Sequence, residues 1–188
     1  MSDAIGHLGE LGALASRAAA ELAEPVSRYA ALVRDTLAAG RTVFFAGNGG
    51  SAAHAQHIAT EYVVRYRPVA RRAAAALALS TDTSLLTAAA NDLGYERVFA
   101  RQVEAHGRPG DLLVLVSTSG RSANLLAAAR AAREARMKVA ALLAAGGGPL
   151  AGLADVAVVV PTGDAALAQE IQLAIDHHVC ALVEPTLA

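Results

Sequence analysis

The chain has 188 residues, 54% of which are apolar, and a formal net charge of −1 at pH 7. This length suits one domain with a substantial core, and the mixed charges exclude the strongly basic surface typical of nucleic-acid-binding proteins. The apolar stretches are shorter than the roughly 18–20 residues that span a bilayer. We therefore expect a globular protein that binds neither nucleic acid nor membrane.

The single cysteine, Cys180, excludes an internal disulfide and fits a reducing compartment. It lies in an apolar helical pattern, which predicts a small buried side chain. The first residues are acidic and lack a basic segment before an apolar run, so the sequence predicts no secretory leader. These observations favour a cytoplasmic protein.

The first forty residues have apolar side chains at the three- and four-residue spacing of amphipathic helices. One run contains Leu8, Leu11 and Leu14, a second follows Pro25, and Gly40 ends it. A sheet covered on both faces leaves no obvious place for these helices. We therefore expect residues 1–40 to pack against a partner subunit.

Residues 41–188 alternate between short β-rich runs and helical segments. The runs are almost continuously apolar, which is typical of a parallel sheet covered on both faces. The predicted strands are 42–45, 74–79, 112–116, 139–143 and 156–160, and the predicted helices lie near 51–66, 84–90, 122–136 and 166–184. Gly146–Pro149 predicts a flexible turn. The sequence thus predicts one domain over 1–188, a doubly wound α/β fold with five parallel strands and an N-terminal helical extension.

Segments rich in glycine and hydroxyl side chains follow two of the predicted strands. Gly47-Asn48-Gly49-Gly50-Ser51 follows the first, and Ser117-Thr118-Ser119-Gly120-Arg121-Ser122 follows the third. Ligands of open parallel sheets bind beyond the carboxyl ends of the strands, where helix N-termini favour anions. Four hydroxyls exceed what a helix cap needs, so the second segment predicts a phosphate-binding loop. The first is weaker evidence, and neither matches a nucleotide-binding fingerprint.

Two pairs of polar residues could meet near these loops. His57 and Glu61 are four residues apart on one predicted helix face. Gln169 and His177 are eight apart, about 12 Å of helical rise, so their side chains could converge between them. Imidazole, carboxylate and amide oxygen suit zinc or another divalent ion. The alternative for each histidine is an ordinary core or surface position.

The remaining polar features have ordinary interpretations. His54 and His178 match no second partner, which leaves them as core or surface histidines, and His7 and His106 are expected at the surface. One basic concentration stands out, for which a solvated turn after a helix and a functional role both stay open. It consists of Arg65, Arg67, Arg71 and Arg72.

Several segments together resemble the sugar isomerase (SIS) family, and within it the sedoheptulose 7-phosphate isomerase branch. The resemblance runs from about residue 30 to 184, with the motifs in the family's order. They are Gly47-Asn48-Gly49-Gly50-Ser51, Ala90-Asn91-Asp92, Ser117-Thr118-Ser119-Gly120 with Ser122, and Gln169-Glu170-Ile171.

The resemblance implies a five-stranded parallel sheet between helices, assembled as a homotetramer with active sites near subunit interfaces. It implies one zinc ion per subunit, with the ligands His57, Glu61, Gln169 and His177. The implied substrate contacts are Asn48, Gly49, Gly50, Ser51, Glu61, Arg65, Asn91, Asp92, Ser117, Thr118, Ser119, Ser122 and Gln169.

The implied reaction converts sedoheptulose 7-phosphate to D-glycero-D-manno-heptose 7-phosphate through a cis-enediol, in nucleotide-activated heptose biosynthesis. Glu61 is our candidate base at carbon and His177 our candidate acid/base at oxygen. A metal ion at their junction would stabilise the developing negative charge. The phosphate loop would hold the sugar in the reactive orientation.

The chain departs from the family pattern at one position. The family carries an acidic residue three positions before the glutamine, and here that position is Ala166, with Asp164 close by in sequence. This departure leaves the preferred sugar open. An SIS protein acting on another sugar phosphate is therefore one alternative.

A second alternative is a non-catalytic SIS adaptor that binds the replication initiator. Residues 52–57 and 86–88 also resemble that protein. It lacks the acid and the imidazole at the positions matching Glu61 and His177, whereas this chain keeps both. Their presence favours an enzyme.

Overall fold

Five parallel strands form the central sheet of the structure, a computed structural model that describes residues 5–187. The strands are β1 (Val43–Gly47), β2 (Ala76–Ala78), β3 (Leu112–Val116), β4 (Lys138–Leu143) and β5 (Val156–Val159). Their order is β2-β1-β3-β4-β5, and every neighbouring pair is parallel. The predicted doubly wound sheet is confirmed, although β2 is shorter than the predicted 74–79.

Helices connect the strands and cover the sheet. The α-helices are α1 (Gly6–Glu21), α2 (Ala23–Ala38), α3 (Gly50–Val63), α4 (Thr83–Leu93), α5 (Ala100–His106), α6 (Ala123–Glu134), α7 (Gly148–Ala151) and α8 (Ala165–Val183). Two 3₁₀ turns, Tyr95–Arg97 and Glu184–Leu187, complete the regular structure of residues 5–187. No helix in this range is long and apolar enough to cross a membrane.

The sheet separates two apolar cores, because alternate side chains of a strand point to opposite faces. On one face Val43 and Phe45 pack among residues of α2, α3 and α8. On the other face Phe44 and Leu113 pack among residues of α4, α5 and α6. Both faces are therefore buried, as the continuous apolar runs predicted.

The N-terminal helices do not both lie outside this core, contrary to the reasoning from the sequence. Tyr29, Val33 and Leu37 of α2 are at most 1% exposed and belong to the α3/α8 side of the core. The helix α1 lies further out and packs on α2 and α8. The helix α2 therefore packs against the sheet of its own subunit, beside α3 and α8. Residues 1–4 of the predicted extension lie outside the described residues.

The structure differs from the sequence-based expectation at three local features. The break between the first two helices falls at Leu22, and Pro25 lies inside the first turn of α2, where a missing N–H costs nothing. The predicted turn Gly146–Pro149 is present at Gly146, but Gly148 and Pro149 begin the short helix α7. The helix α5 was not predicted, because its seven residues are too few for a clear periodic signal.

The strand order creates one switch point, where the chain leaves β1 and β3 in opposite directions across the sheet. Gly47 at the end of β1 is the register partner of Val116 at the end of β3. The segments that follow these strands therefore start side by side. This edge of the sheet is where a ligand of such a fold is expected.

Candidate active site

The first loop, residues 47–51, turns directly into α3 and needs glycine at several positions. A Cβ on Gly47 would lie 2.6 Å from the Ser51 carbonyl oxygen, and Gly49 has a φ of +56°. A Cβ on Gly50 would lie 2.7 Å from Oε1 of Gln169. The amide of Gln169 on α8 therefore lies directly against this loop, which joins two separately predicted site segments.

Asn48 in this loop is held by a second asparagine. Nδ2 of Asn48 donates to Oδ1 of Asn124 (2.9 Å), and Nδ2 of Asn124 donates to Oδ1 of Asn48 (2.8 Å). The Tyr95 hydroxyl donates to the same Oδ1 of Asn48 at 3.0 Å. Because Asn124 lies on α6, just after the second loop, the pair links the two loops. Sequence reasoning missed Asn124 and Tyr95, since neither lies in a motif.

The second loop, residues 117–122, uses its hydroxyls in different ways. Ser117 is buried, and its Oγ accepts a hydrogen bond from the Gly120 N–H (3.1 Å). Ser119 is exposed, and its Oγ accepts a hydrogen bond from the Arg121 backbone N–H (3.3 Å). Ser122 is the N-cap residue of α6, yet its side chain makes no capping hydrogen bond. Capping therefore does not explain the Ser122 hydroxyl, whereas Ser117 has a structural role in the turn.

The glycine-rich segment before α7 supports this second loop. The Ala144 N–H donates to the Thr118 carbonyl (3.2 Å), and the Leu150 N–H donates to the Gly120 carbonyl (3.1 Å). A Cβ on Gly120 would lie only 1.9 Å from the Gly147 carbonyl oxygen. The segment predicted as a flexible turn is therefore packed against the loop, and the close approach explains the glycines on both sides.

The helices α3 and α8 bring His57, Glu61 and His177 together. Nε2 of His57 lies 2.9 Å from Nε2 of His177 and 3.5 Å from Oε1 of Glu61. One ligand atom from each residue lies within 4.8 Å of the other two, so the group could hold one metal ion. Nitrogen and carboxylate oxygen are donors that zinc accepts. The convergence predicted for residues on α3 and α8 is thus present for these three residues.

A second, buried cluster lies behind this group. His54 Nε2 donates to Oδ2 of Asp176 (2.7 Å), and the Tyr29 hydroxyl donates to Oδ1 (2.6 Å). Burial, and then the Asp176 charge, raises the pKa of Tyr29 well above its ordinary value. His54 Nδ1 is buried and has no hydrogen-bond partner among the described residues, so Nε2 is the ring nitrogen that engages Asp176.

This cluster confirms His54 as a core histidine and supplies a partner that was not predicted. His54 has the partner that sequence reasoning did not find, because Asp176 was not singled out. A signal existed, since Asp176 falls in the buried stripe of α8 with Val179, Cys180 and Val183. Cys180 is buried as predicted, and burial raises the pKa of its thiol to about 12.

Three other predicted site residues, Asn91, Asp92 and Arg65, are exposed. Asn91 donates to Asp92 (2.7 Å) in the last turn of α4, and both are exposed. Arg65 is exposed two residues beyond α3. Within residues 5–187 no hydrogen bond joins these three residues to His57, Glu61 or His177. Asp164 caps α8 by accepting from the Ala166 and Leu167 N–H groups at 2.8 and 3.0 Å.

The remaining histidines and arginines divide between the surface and the interior. His7 is exposed as predicted, but its Nε2 contacts both carboxylate oxygens of Glu170 at 2.9 and 3.0 Å. Arg71 is not part of a solvated turn, since its side chain is 2% exposed and paired with Glu184. The other members of the basic concentration, Arg65, Arg67 and Arg72, are exposed.

Comparison with known proteins gives a consistent result. The SIS domain family model matches residues 7–144. The phosphoheptose isomerase of Paramagnetospirillum magneticum is 48% identical over 169 residues, which are 90% of this chain and 88% of that protein. The phosphoheptose isomerase of Chlorobium phaeovibrioides is 51% identical over 176 residues, 93% of this chain and 83% of that protein.

Solved structures agree with the sequence relatives. The phosphoheptose isomerase of Neisseria gonorrhoeae superposes with a TM-score of 0.89 at 40% identity, covering 96% of both chains. That of Francisella tularensis superposes with a TM-score of 0.92 at 30% identity, covering 96% of this chain and 95% of that one. The similarity therefore extends over nearly the whole chain.

Proposed function

The chain belongs to the SIS domain family, and from this premise we propose that it is an isomerase converting sedoheptulose 7-phosphate to D-glycero-D-manno-heptose 7-phosphate. The observation that carries the proposal is the meeting of Glu61 and His177 on helices beside the two switch-point loops. The phosphoheptose isomerase relatives support the same reaction. Its product would enter nucleotide-activated heptose synthesis.

We assign the substrate phosphate to the second loop. Ser119 and Ser122 have hydroxyls that the fold does not use for capping α6, and the loop precedes that helix. Backbone N–H groups at a helix N-terminus and hydroxyl donors together suit a phosphate dianion. The sugar would then extend toward α3 and α8, along the first loop and Gln169. Asn91, Asp92 and Arg65 stay proposed contacts of the sugar.

Proton transfer is assigned to Glu61 and His177. Interconversion of the ketose and the aldose moves a proton between C1 and C2 and another between the two oxygens. The Glu61 carboxylate takes and returns the proton at carbon, and the His177 imidazole relays the proton at oxygen. The Glu61 side chain is 20% exposed, which leaves it accessible to a sugar while shielding it from bulk water.

We further propose that one zinc ion binds at this group in each subunit. The donor atoms of His57, Glu61 and His177 fit one divalent ion. Gln169, whose amide oxygen lies against Gly50 of the first loop, is the fourth ligand that the family resemblance implies. When bound, the ion supplies Lewis-acid stabilisation of negative charge at the sugar oxygens. His57 has no assigned proton transfer, so its role would be to hold the metal ion.

The adaptor is the weaker alternative. A protein that only binds a partner has no need for a carboxylate and two imidazoles within 4.8 Å of one another in a half-exposed position. Action on another sugar phosphate stays the other alternative. The family's acidic residue is replaced by Ala166, and the nearby Asp164 is engaged as the α8 cap.

We propose a homotetramer in the cytoplasm, made of single SIS domains that span 1–188. An apolar groove of about 570 Å³ between α1, α2 and α8 supports packing of the N-terminal helices against a partner, since Leu22, Ile171 and Leu182 line it. Leu8 of α1, a large apolar side chain that is 63% exposed, supports the same contact.

The test is an isomerase assay on the purified protein with sedoheptulose 7-phosphate, following the aldose product by NMR. The proposal expects conversion, loss of conversion in a chelator, and recovery on adding Zn²⁺. Conversion that a chelator leaves untouched would refute the metal assignment. No conversion of this or related ketose phosphates by folded, metal-loaded protein would favour the adaptor.

A further inference from the structure

We propose that Tyr66 is a positioning residue that holds the His177 imidazole against His57, and that Glu184 and Arg71 fix the segment carrying Tyr66. The proposal rests on the proposed function, because it concerns a group assigned to proton transfer. Tyr66 lies three residues beyond the end of α3, in an irregular segment that leads toward β2. Such a segment needs anchors if it is to place a side chain.

The Tyr66 ring packs on one side of His177. The two ring centroids are 5.5 Å apart and the ring planes differ by 26°, which is a stacked contact. His57 meets His177 edge to face, with centroids 5.0 Å apart and planes at 62°. Two aromatic contacts in different directions restrict rotation of the imidazole about its side-chain bonds. Removing one of them would free the ring to leave His57.

The Tyr66 ring is itself covered on its own segment. The guanidinium carbon of Arg67 lies 5.7 Å from the Tyr66 ring centroid, within the range of a cation–π contact. The aromatic ring, rather than the hydroxyl, makes both this contact and the one to His177. Phenylalanine at position 66 should therefore keep the position of the His177 ring, whereas alanine should not.

Glu184 anchors the backbone of this segment. Its carboxylate accepts hydrogen bonds from the Tyr66 N–H (2.9 Å), the Arg67 N–H (3.0 Å) and Nε of Arg71 (3.0 Å). The side chains of Arg71 and Glu184 are only 2% and 6% exposed. Burial alone would raise the pKa of Glu184, but these hydrogen bonds outweigh it and hold the pKa below its ordinary value. The anchor is therefore ionised at neutral pH.

Arg71 connects the same anchor to the other proposed proton-transfer residue. Its Nη2 donates to the Glu61 carbonyl oxygen at 2.6 Å. This carbonyl lies in the last turn of α3, where helix carbonyls lack intrahelical partners. Glu184 thus fixes the end of α3 through Arg71 and the ring over His177 through Tyr66. The positions of both proposed proton-transfer residues therefore depend on one buried carboxylate, that of Glu184.

The experiment compares Tyr66→Ala with Tyr66→Phe, with Glu184→Gln as a further variant. Crystal structures of the two Tyr66 variants would give the His57–His177 distance. This measurement needs neither substrate nor metal. Zn²⁺ affinity, measured by competition with a chromophoric chelator, and steady-state kinetics complete the set. A thermal melt shows whether each variant is folded.

For Tyr66→Ala we expect a displaced His177 ring, about tenfold weaker Zn²⁺ binding and a kcat lowered about tenfold, with KM within about twofold. For Tyr66→Phe we expect wild-type values throughout. Glu184→Gln should show the Tyr66→Ala kinetics together with a lower Tm. A wild type without isomerase activity would sink the proposed function, while the His177 position would still decide this inference.

Three results would overturn the inference. One is a His177 ring in Tyr66→Ala that keeps its contact with His57. Another is an equal loss in Tyr66→Phe and Tyr66→Ala, which would assign the effect to the hydroxyl. The last is a rise in KM with unchanged kcat, which would make Tyr66 a wall of the sugar site.

Discussion

Two histidine–carboxylate clusters join α3 and α8, and they differ in burial rather than in chemistry. The side chains of His54 and Asp176 are 6% and 0% exposed, whereas those of His57 and Glu61 are 47% and 20% exposed. His54 and His57 are three residues apart on α3, and Asp176 directly precedes His177 on α8. The same residue types therefore occupy a buried position and an accessible one within a single turn of helix.

The difference teaches what burial does to such a group. A buried carboxylate is costly unless it is hydrogen-bonded, and both oxygens of Asp176 are engaged by Tyr29 and His54. No oxygen is left for a ligand that would have to reach the core. In the accessible cluster, Glu61 and the two imidazoles face a common point that a ligand can reach. We therefore propose a functional role for the accessible cluster and a stabilising role for the buried one.

The largest expected effect is on stability and comes from the buried cluster. Asp176→Ala leaves the Tyr29 hydroxyl and the His54 N–H without their acceptor, so the free energy of unfolding should fall by about 3 kcal/mol or more. Urea denaturation measures this change. The control is Glu104→Ala on α5, whose carboxylate pairs only with exposed arginines, and it should cost less than about 1 kcal/mol. Equal losses of unfolding free energy in the two variants would mean that burial of Asp176 does not determine its contribution to stability.

The next effect is on catalysis and comes from the accessible cluster. Glu61→Gln keeps the size of the side chain but removes the base, so turnover should fall roughly 10²-fold or more while the protein stays folded. His177→Ala should lower both zinc content and rate. The proposed mechanism has the two residues act as one unit, so the double variant should lose little activity beyond that of the worse single variant.

The matched control for these variants is Glu104→Gln, which should keep full activity because Glu104 lies on α5 and pairs with Arg97 and Arg101. Kinetics and metal analysis on the same preparations measure both quantities. Wild-type turnover in folded, metal-loaded Glu61→Gln would remove Glu61 as the base at carbon.

These residues also show which parts of the structure could be predicted from the sequence. The parallel sheet was predictable, because β1 and β3 are continuous apolar runs followed by glycine- and serine-rich loops. The spacing of His57 and Glu61 placed them on one face. What the sequence could not give was long-range pairing, such as Asn48 with Asn124 or Tyr66 with His177. Those contacts depend on how helices pack, and no periodicity or motif encodes which side chains then meet.

The second loop repeats the comparison on a smaller scale. Ser117 is buried and bonded to the Gly120 N–H, whereas Ser119 is exposed. Ser119→Ala should raise KM about tenfold with kcat within about twofold, since a phosphate contact is similar in the ground and transition states. Ser117→Ala should also lower Tm, because it removes a hydrogen bond inside the turn. A Ser119→Ala variant with wild-type KM and reduced kcat would contradict the assignment of the phosphate.

The smallest effect extends the comparison to a third histidine–carboxylate pair, which joins α1 to α8 and has both partners exposed. The side chains of His7 and Glu170 are 49% and 43% exposed, and the hydrogen bond and charge of Glu170 raise the pKa of His7. A raised folded-state pKa stabilises the fold below the unfolded value of about 6.5, and this contribution disappears as pH rises through the folded pKa. Glu170→Gln should therefore lower the urea midpoint slightly at about pH 5.5 and leave it unchanged at about pH 8.5. About 1 M salt should suppress the difference at the lower pH, because it screens an exposed pair. A pH-independent loss would mean that Glu170 acts through packing. The comparison of buried and exposed histidine–carboxylate pairs would then not extend to His7 and Glu170.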